Sequence, residues 1–185
     1  MKNVKNISWR PFKKDWITYD LSHLHPNIFS VNVEWEKLNR KEIRVHISFS
    51  SHVFTSKFRP EKHEKTDRYF QCLEWRFFCF ERYFLSKIEL MNVINDFVEN
   101  PLNNRIYKWS LSDYLKIKLV SWEEYLVYFR LEKNKLKTKS NKNDLVMIIT
   151  SAHINEFDKK LNRKKDRNSK KLKTILIQKF LEPKK

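Results

Sequence analysis

Apolar and polar side chains alternate through Ile28-Phe29-Ser30-Val31-Asn32-Val33-Glu34-Trp35 and again, after a short Asn/Lys-rich break, through Ile43-Arg44-Val45-His46-Ile47-Ser48-Phe49. A period of two marks half-buried strands, so the pair predicts a hairpin. Its second strand turns Ile43, Val45, Ile47 and Phe49 to one face and Arg44, His46 and Ser48 to the other. From Glu81 to Val98 the spacing lengthens: Phe84, Ile88, Met91, Ile94 or Asn95, and Val98 recur at three and four, with Leu85 widening the stripe. That predicts a long amphipathic helix, ended by Asn100-Pro101 because proline cannot continue it. Three further strands are expected at Tyr114–Val120, Tyr125–Leu131 and Leu145–Ser151, the last a continuous apolar run of the kind a central, doubly covered strand shows. Lys173–Leu181 predicts a fourth in this half, and the aromatic run Trp75 to Phe80 leaves strand and helix entry both open. The expected class is α+β, a mostly antiparallel sheet with one long helix, about residues 81–98, packed on one face.

Length agrees with a single domain, 1–185, since 185 residues with 41% apolar side chains can bury a real core. Composition then narrows the chemistry. The chain has no glycine, where average usage would put roughly 13 in this length. Gly-rich phosphate loops and the nucleophile elbow of hydrolases need residues without Cβ, so Walker A, dinucleotide and kinase loops are excluded, and no cofactor is expected. Positions wanting positive φ should fall to Asn and Asp. The 16 asparagines then act as punctuation, at 39–41, 100–104 and 141–144. Cys72 and Cys79 are expected as reduced thiols packed among Phe77, Phe78 and Phe80, since neither a disulfide framework nor a zinc spacing is present. No metal site is expected.

Charge points to a partner. The 39 Lys and Arg against 22 Asp and Glu give +17, and residues 131–185 hold 17 of the basic side chains with only 6 acidic ones. Such a surplus suits a polyanion. No 18-residue apolar run or basic amphipathic helix favours a membrane, and the N-terminus lacks an h-region, so the expected partner is RNA or another nucleic acid in the cytosol. Two stretches would carry it. Lys133, Lys135, Lys137, Lys139 and Lys142 would form a cationic hairpin tip. Residues 159–172 form a basic loop, expected to be mobile, with Lys160, Arg163, Lys164, Lys165, Arg167, Lys170 and Lys171 as phosphate contacts. Tyr125, Tyr128 and Phe129 would offer base stacking where they are not core.

Four short motifs add an ordered set: Tyr19-Asp20-Leu21-Ser22-His23-Leu24-His25-Pro26, Ser51-His52-Val53-Phe54-Thr55, Phe80-Glu81-Arg82-Tyr83-Phe84-Leu85-Ser86 and Ile149-Thr150-Ser151-Ala152-His153. In this order they resemble the short bacterial proteins called stationary phase growth adaptation proteins, from about Trp16 to Ile154. More distantly, an aromatic strand, a lysine-rich turn and a strand ending in Thr-Ser-Ala plus a ring resemble the barnase, colicin and RelE group of metal-independent ribonucleases. There the ring is usually Tyr; here it is His153. That likeness implies RNA cleavage.

Metal-free cleavage needs a proton acceptor, a proton donor and cations for the phosphorane. His23 and His25 would share a strand face before Pro26; the plain alternative is that one bonds the turn and the other is exposed. His52 would reach a sheet rim. Arg82 and Tyr83 open the long helix, where an arginine calls for a phosphate or a carboxylate such as Asp20 or Asp96. Ser151 and His153 would face one cleft, His153 for stacking or proton transfer. The competing class is a non-enzymatic basic interaction protein, a mobile-element accessory factor or inhibitor, gripping nucleic acid or an acidic protein.

Overall fold

The computed structural model describes residues 7–32, 42–72, 74–99, 105–109, 112–134, 144–155 and 169–183. Its frame is a seven-stranded sheet. Over the described residues the N-terminal hairpin is as the alternation predicts: β3 (Asn27–Asn32) pairs antiparallel with β4 (Glu42–Phe49), and Ile43, Val45, Ile47 and Phe49 are all buried, while 33–35 of the expected first strand lie outside the described residues. A second unit, β7 (Arg105–Trp109), β8 (Ser112–Lys118), β9 (Glu124–Lys133) and β10 (Leu145–Ile154), runs as an antiparallel meander. The two units join where β10 lies parallel to β4, Leu145 opposite Val45.

The sheet is therefore mixed and not simply antiparallel. A parallel junction needs a long crossover, and here the chain between β4 and β10 supplies the helices. Asp144 sets the register of that junction. Its backbone N–H donates to the Arg44 carbonyl at 2.9 Å, and its carboxylate accepts the Arg44 N–H at 3.0 Å. Asp144 is buried, so both contacts form away from water.

The long helix runs as α1 (Phe80–Leu85), a π turn over Ser86–Leu90 and α2 (Met91–Glu99). Strand and helix entry both occur in the preceding aromatic run, since β6 (Phe77–Phe78) pairs with β5 (Thr55–Ser56) two residues before α1 starts. The closing segment is a helix, α3 (Leu172–Leu181), where a strand is expected from its β-branched run. Leu172, Leu176 and Ile177 form a helical stripe that joins the main core, and that burial outweighs the local preference. The basic stretch before it ends in β11 (Lys170–Lys171), which pairs with β7; Leu172 already belongs to α3. The full sheet order is β11-β7-β8-β9-β10-β4-β3.

All three helices contribute buried residues to the one cluster that holds Val45, Leu115, Val127, Leu131 and Met147, so they pack on one face of the sheet. β10 is central but not doubly covered. Its side chains alternate between buried Leu145, Met147 and Ile149 and half-buried Val146, Ile148 and Thr150. An aromatic cluster continues this core where β1 (Phe12–Lys14) and β2 (Ile17–Tyr19) form a hairpin and Phe12 stacks on Phe78 at 4.2 Å. Among the described residues positive φ falls on Asp15, Trp16 and Trp122, so tryptophan takes two positions expected for Asn or Asp. Cys72 and Cys79 are unpaired thiols.

Candidate nucleic-acid interface

The helix-free face of the sheet carries a row of stacked rings. Tyr107 and Tyr114 lie 5.3 Å apart, Tyr114 and Tyr128 5.5 Å, and Tyr128 and His153 5.5 Å with only 16° between their planes. Cross-strand register builds the row, because Tyr107 faces Tyr114 on β7 and β8, and Tyr114 faces Tyr128 on β8 and β9. Enclosed on both sides, Tyr114 is only 2% exposed although it lies outside the main core.

His153 reaches this row through a bulge. Leu145, Met147 and Ile149 face the core, and strict alternation would send Ser151 and His153 after them. The β9–β10 register slips between Ile149 and Ser151, so Ala152 becomes the core residue while Ser151 lies opposite Tyr128. The bulge is pinned by Ser50, whose hydroxyl donates to the Thr150 carbonyl at 2.7 Å and whose N–H donates to the Ile149 carbonyl at 2.9 Å. Ser151 Oγ then sits 3.2 Å from His153 Nδ1.

Past its stacked face, His153 also lines a cleft with Ser56, Arg59, Lys62, Glu81, Arg82 and Ile154. Arg82 takes neither of its expected carboxylates as the anchor of this wall. Its Nη1 donates to the His52 carbonyl at 2.8 Å and to the Thr55 carbonyl at 3.1 Å, tying α1 to the segment after β4. Arg82 and His153 are thus brought together, and His52 meets Arg82 only through its backbone.

The other expected catalytic groups have structural partners. His23 Nε2 is 2.9 Å from Ser86 Oγ, whose proton goes to the Tyr83 carbonyl at 2.8 Å, so His23 is the donor in that pair. Burial, aided by the Lys87 charge, holds the His23 imidazole below the ordinary histidine range. Tyr83 is buried in the aromatic cluster, edge-on to Tyr19 at 5.5 Å and 5.8 Å from the His23 ring. His25 is exposed and bonds Ser8 at 3.0 Å. His52 Nε2 lies 3.4 Å from Glu74, and burial followed by the Arg76 charge lowers its pKa.

Of the expected phosphate contacts, Lys135, Lys137, Lys139, Lys142, Lys160, Arg163, Lys164, Lys165 and Arg167 lie outside the described residues, as do the asparagine turns at 39–41 and 100–104 and all of the turn at 141–144 except Asp144. Lys133 ends β9 opposite Leu145, which makes the hairpin between β9 and β10 real, and its ammonium donates to the Glu182 carbonyl. Lys170 and Lys171 are exposed on β11. Tyr125 and Phe129 are core; Tyr128 is the ring that faces outward. Tyr107, Arg59 and Lys62 had no signal in the chain: no alternation marks β7, and the 59–63 turn shows only mixed charge.

A model of the YjaZ family matches residues 11–181, nearly the whole chain. The protein belongs to the YjaZ family. That assignment replaces both resemblances drawn from the short motifs, to stationary phase growth adaptation proteins and to the barnase, colicin and RelE ribonucleases. The motifs are better explained by structure, since Ser51–Val53 is a 3-10 turn and Thr150 a bulge. No curated protein matches this YjaZ family member, and no solved structure does. Among its described residues no three His, Cys, Asp or Glu side chains could hold a metal ion, and no helix is long and apolar enough to cross a membrane.

Proposed function

We propose that this protein binds single-stranded nucleic acid, RNA foremost, on the helix-free face of its sheet. The observation that carries the reading is the ring row ending at His153 beside three basic side chains. The Tyr107 end is capped by the Lys116 ammonium, 5.9 Å from the ring centroid. In this reading a base joins the ring row at His153, whose side chain lies beside the basic residues of the cleft. Base stacking on an aromatic side chain contributes roughly 1–3 kcal/mol and tolerates any base, and the +17 charge supplies attraction to the backbone.

The test is fluorescence anisotropy with a labelled single-stranded RNA across a salt series. Binding should weaken steeply with salt, exceed that for duplex, and drop about tenfold on His153→Ala, the lower part of the stacking range. No binding in dilute buffer, or an unchanged affinity for the variant, overturns the reading; binding to an acidic protein instead would favour the interaction-protein class. Cleavage is a second reading of the same site, favoured by Ser151, His153 and Arg82 meeting around it. RNA left intact by a high concentration of protein in EDTA rules it out.

A further inference from the structure

Arg68 extends the small sheet of β5 and β6 by one member. It bridges Phe77 antiparallel, and Phe77 pairs in turn with Ser56. Directly opposed residues share a face, so Ser56, Phe77 and Arg68 point to one side of this sheet, and Ser56 lines the cleft that His153 also lines. On that side the Arg68 guanidinium lies over two rings, 3.8 Å from the Trp75 centroid and 4.8 Å from that of Phe70. Both rings are exposed, Trp75 at 70% and Phe70 at 77%. We infer that Arg68, Phe70 and Trp75 form a second stacking station for the strand that meets His153, an inference that rests on the single-stranded nucleic-acid reading above.

Alternation explains why these rings face outward. Tyr69, between Arg68 and Phe70, is buried against Trp9 and Phe54. Arg76, between Trp75 and Phe77, is buried too, and donates to Thr55 Oγ1 at 2.7 Å and to the Thr55 carbonyl at 2.8 Å. The Tyr69 N–H donates to the Arg76 carbonyl at 2.9 Å and the Tyr69 hydroxyl to the Arg10 carbonyl at 2.6 Å. The station thus stands on a frame fixed from behind, and little ordering is left for a ligand to impose.

Chemistry selects the occupant. Exposed rings grouped in this way mark an interaction surface. Among the described residues no carboxylate pairs with Arg68, so its guanidinium keeps N–H donors for an anion. An acidic protein segment would satisfy the arginine alone. Rings at His153 and again beyond Ser56 match a ligand that repeats planar groups as well as charges, and a single strand alternates base with phosphate. Arg68 stands two strand spacings from Ser56, about 10 Å, and Phe58, itself exposed, covers Phe77 between them at 4.8 Å.

The test uses the full chain with single-stranded RNA that carries thiouridine. Anisotropy gives the affinity, and irradiation followed by trypsin and mass spectrometry places the adduct. Cleavage after Arg68 and Arg76 puts both rings in one peptide, 69–76. The variants are Phe70→Ser/Trp75→Ser, Arg68→Gln and, as control, Trp16→Ser, which removes another exposed indole; thermal melts verify that all fold alike. The adduct map needs no variant. We expect adducts on peptide 69–76, binding weakened at least about tenfold in the ring variant with its salt slope unchanged, a salt slope lessened by about 0.7 in Arg68→Gln, and no change in the control. Unchanged affinity in the ring variant, or adducts confined to other peptides, overturns the station; if His153→Ala still weakens binding, the nucleic-acid reading survives that result. Weakening by the ring variant but not by His153→Ala keeps the station and removes the reading at His153. Polyglutamate that displaces the RNA as well as unlabelled RNA does assigns the surface to an acidic protein segment and overturns the proposal.

Discussion

Tyr125 shows what a single atom contributes. Its ring is fully buried between sheet and helix, and its hydroxyl has no hydrogen-bond partner among the described residues. Burial, with Glu89 nearby, drives its pKa far above the ordinary tyrosine range, so the phenol stays neutral. A buried polar atom without a partner costs about 1–3 kcal/mol. Tyr125→Phe should therefore leave stability unchanged or raise it by about 1 kcal/mol in urea unfolding, and a decrease of that size would show that the hydroxyl is bonded. The same scale separates His153 from the other histidines. His23, His25 and His52 bond Ser86, Ser8 and Glu74, and those partners stand 63, 17 and 22 positions away in the chain. No spacing rule within one sequence reaches so far, so the choice between chemistry and structure at these rings was not legible there.

At the scale of elements, strands of period two are legible and bulges are not. The alternation in β4 predicts its buried face, and β10 follows the same rule from Leu145 to Ile149. Thr150 then shifts the parity, and the decision is made by Ser50, a residue of another element. That one bulge turns Ser151 and His153 from the core side to the ring row. The row itself is an element-level device, and Tyr114 is its middle member. Tyr114→Ala should cost about 3 kcal/mol, because removing a buried ring leaves a cavity and takes one stacking neighbour each from Tyr107 and Tyr128. Chemical unfolding measures it; a cost under about 1 kcal/mol would mean the rings do not pack as described. Helix α3 shows the reverse failure, where β-branched residues read locally as strand but tertiary burial of Leu172 and Leu176 imposes a helix.

For the whole molecule, titration follows from burial. His23, His46, His52 and His63 all have pKa values lowered, in each case first by burial. Unfolded histidine titrates near about 6.5. Below that pH the unfolded chain binds more protons than the folded one, so stability is complete above it and is lost as pH falls toward the folded-state values. Protonating His63 also places a proton against the Arg59 N–H. Thermal melts should thus show a lower Tm at pH 5.5 than at pH 7.5, and a Tm that is flat across this range contradicts neutral rings at these buried and half-buried positions. Lys14 works at the other end. Hydrogen bonding to Asp67 raises its pKa despite some burial, so its contribution holds below the unfolded value and is lost as pH rises through the folded one.

Composition and period by themselves established the α+β class, the N-terminal hairpin, the long helix and the excess of positive charge, since each depends on residues close together in the chain or on totals. Tertiary structure alone decided the parallel junction of β10 with β4, the helical fate of 172–181 and the meeting of Arg59, Lys62, Arg82 and His153. These depend on which distant surfaces exclude water together and on a one-residue slip in register, and neither quantity is written in local order.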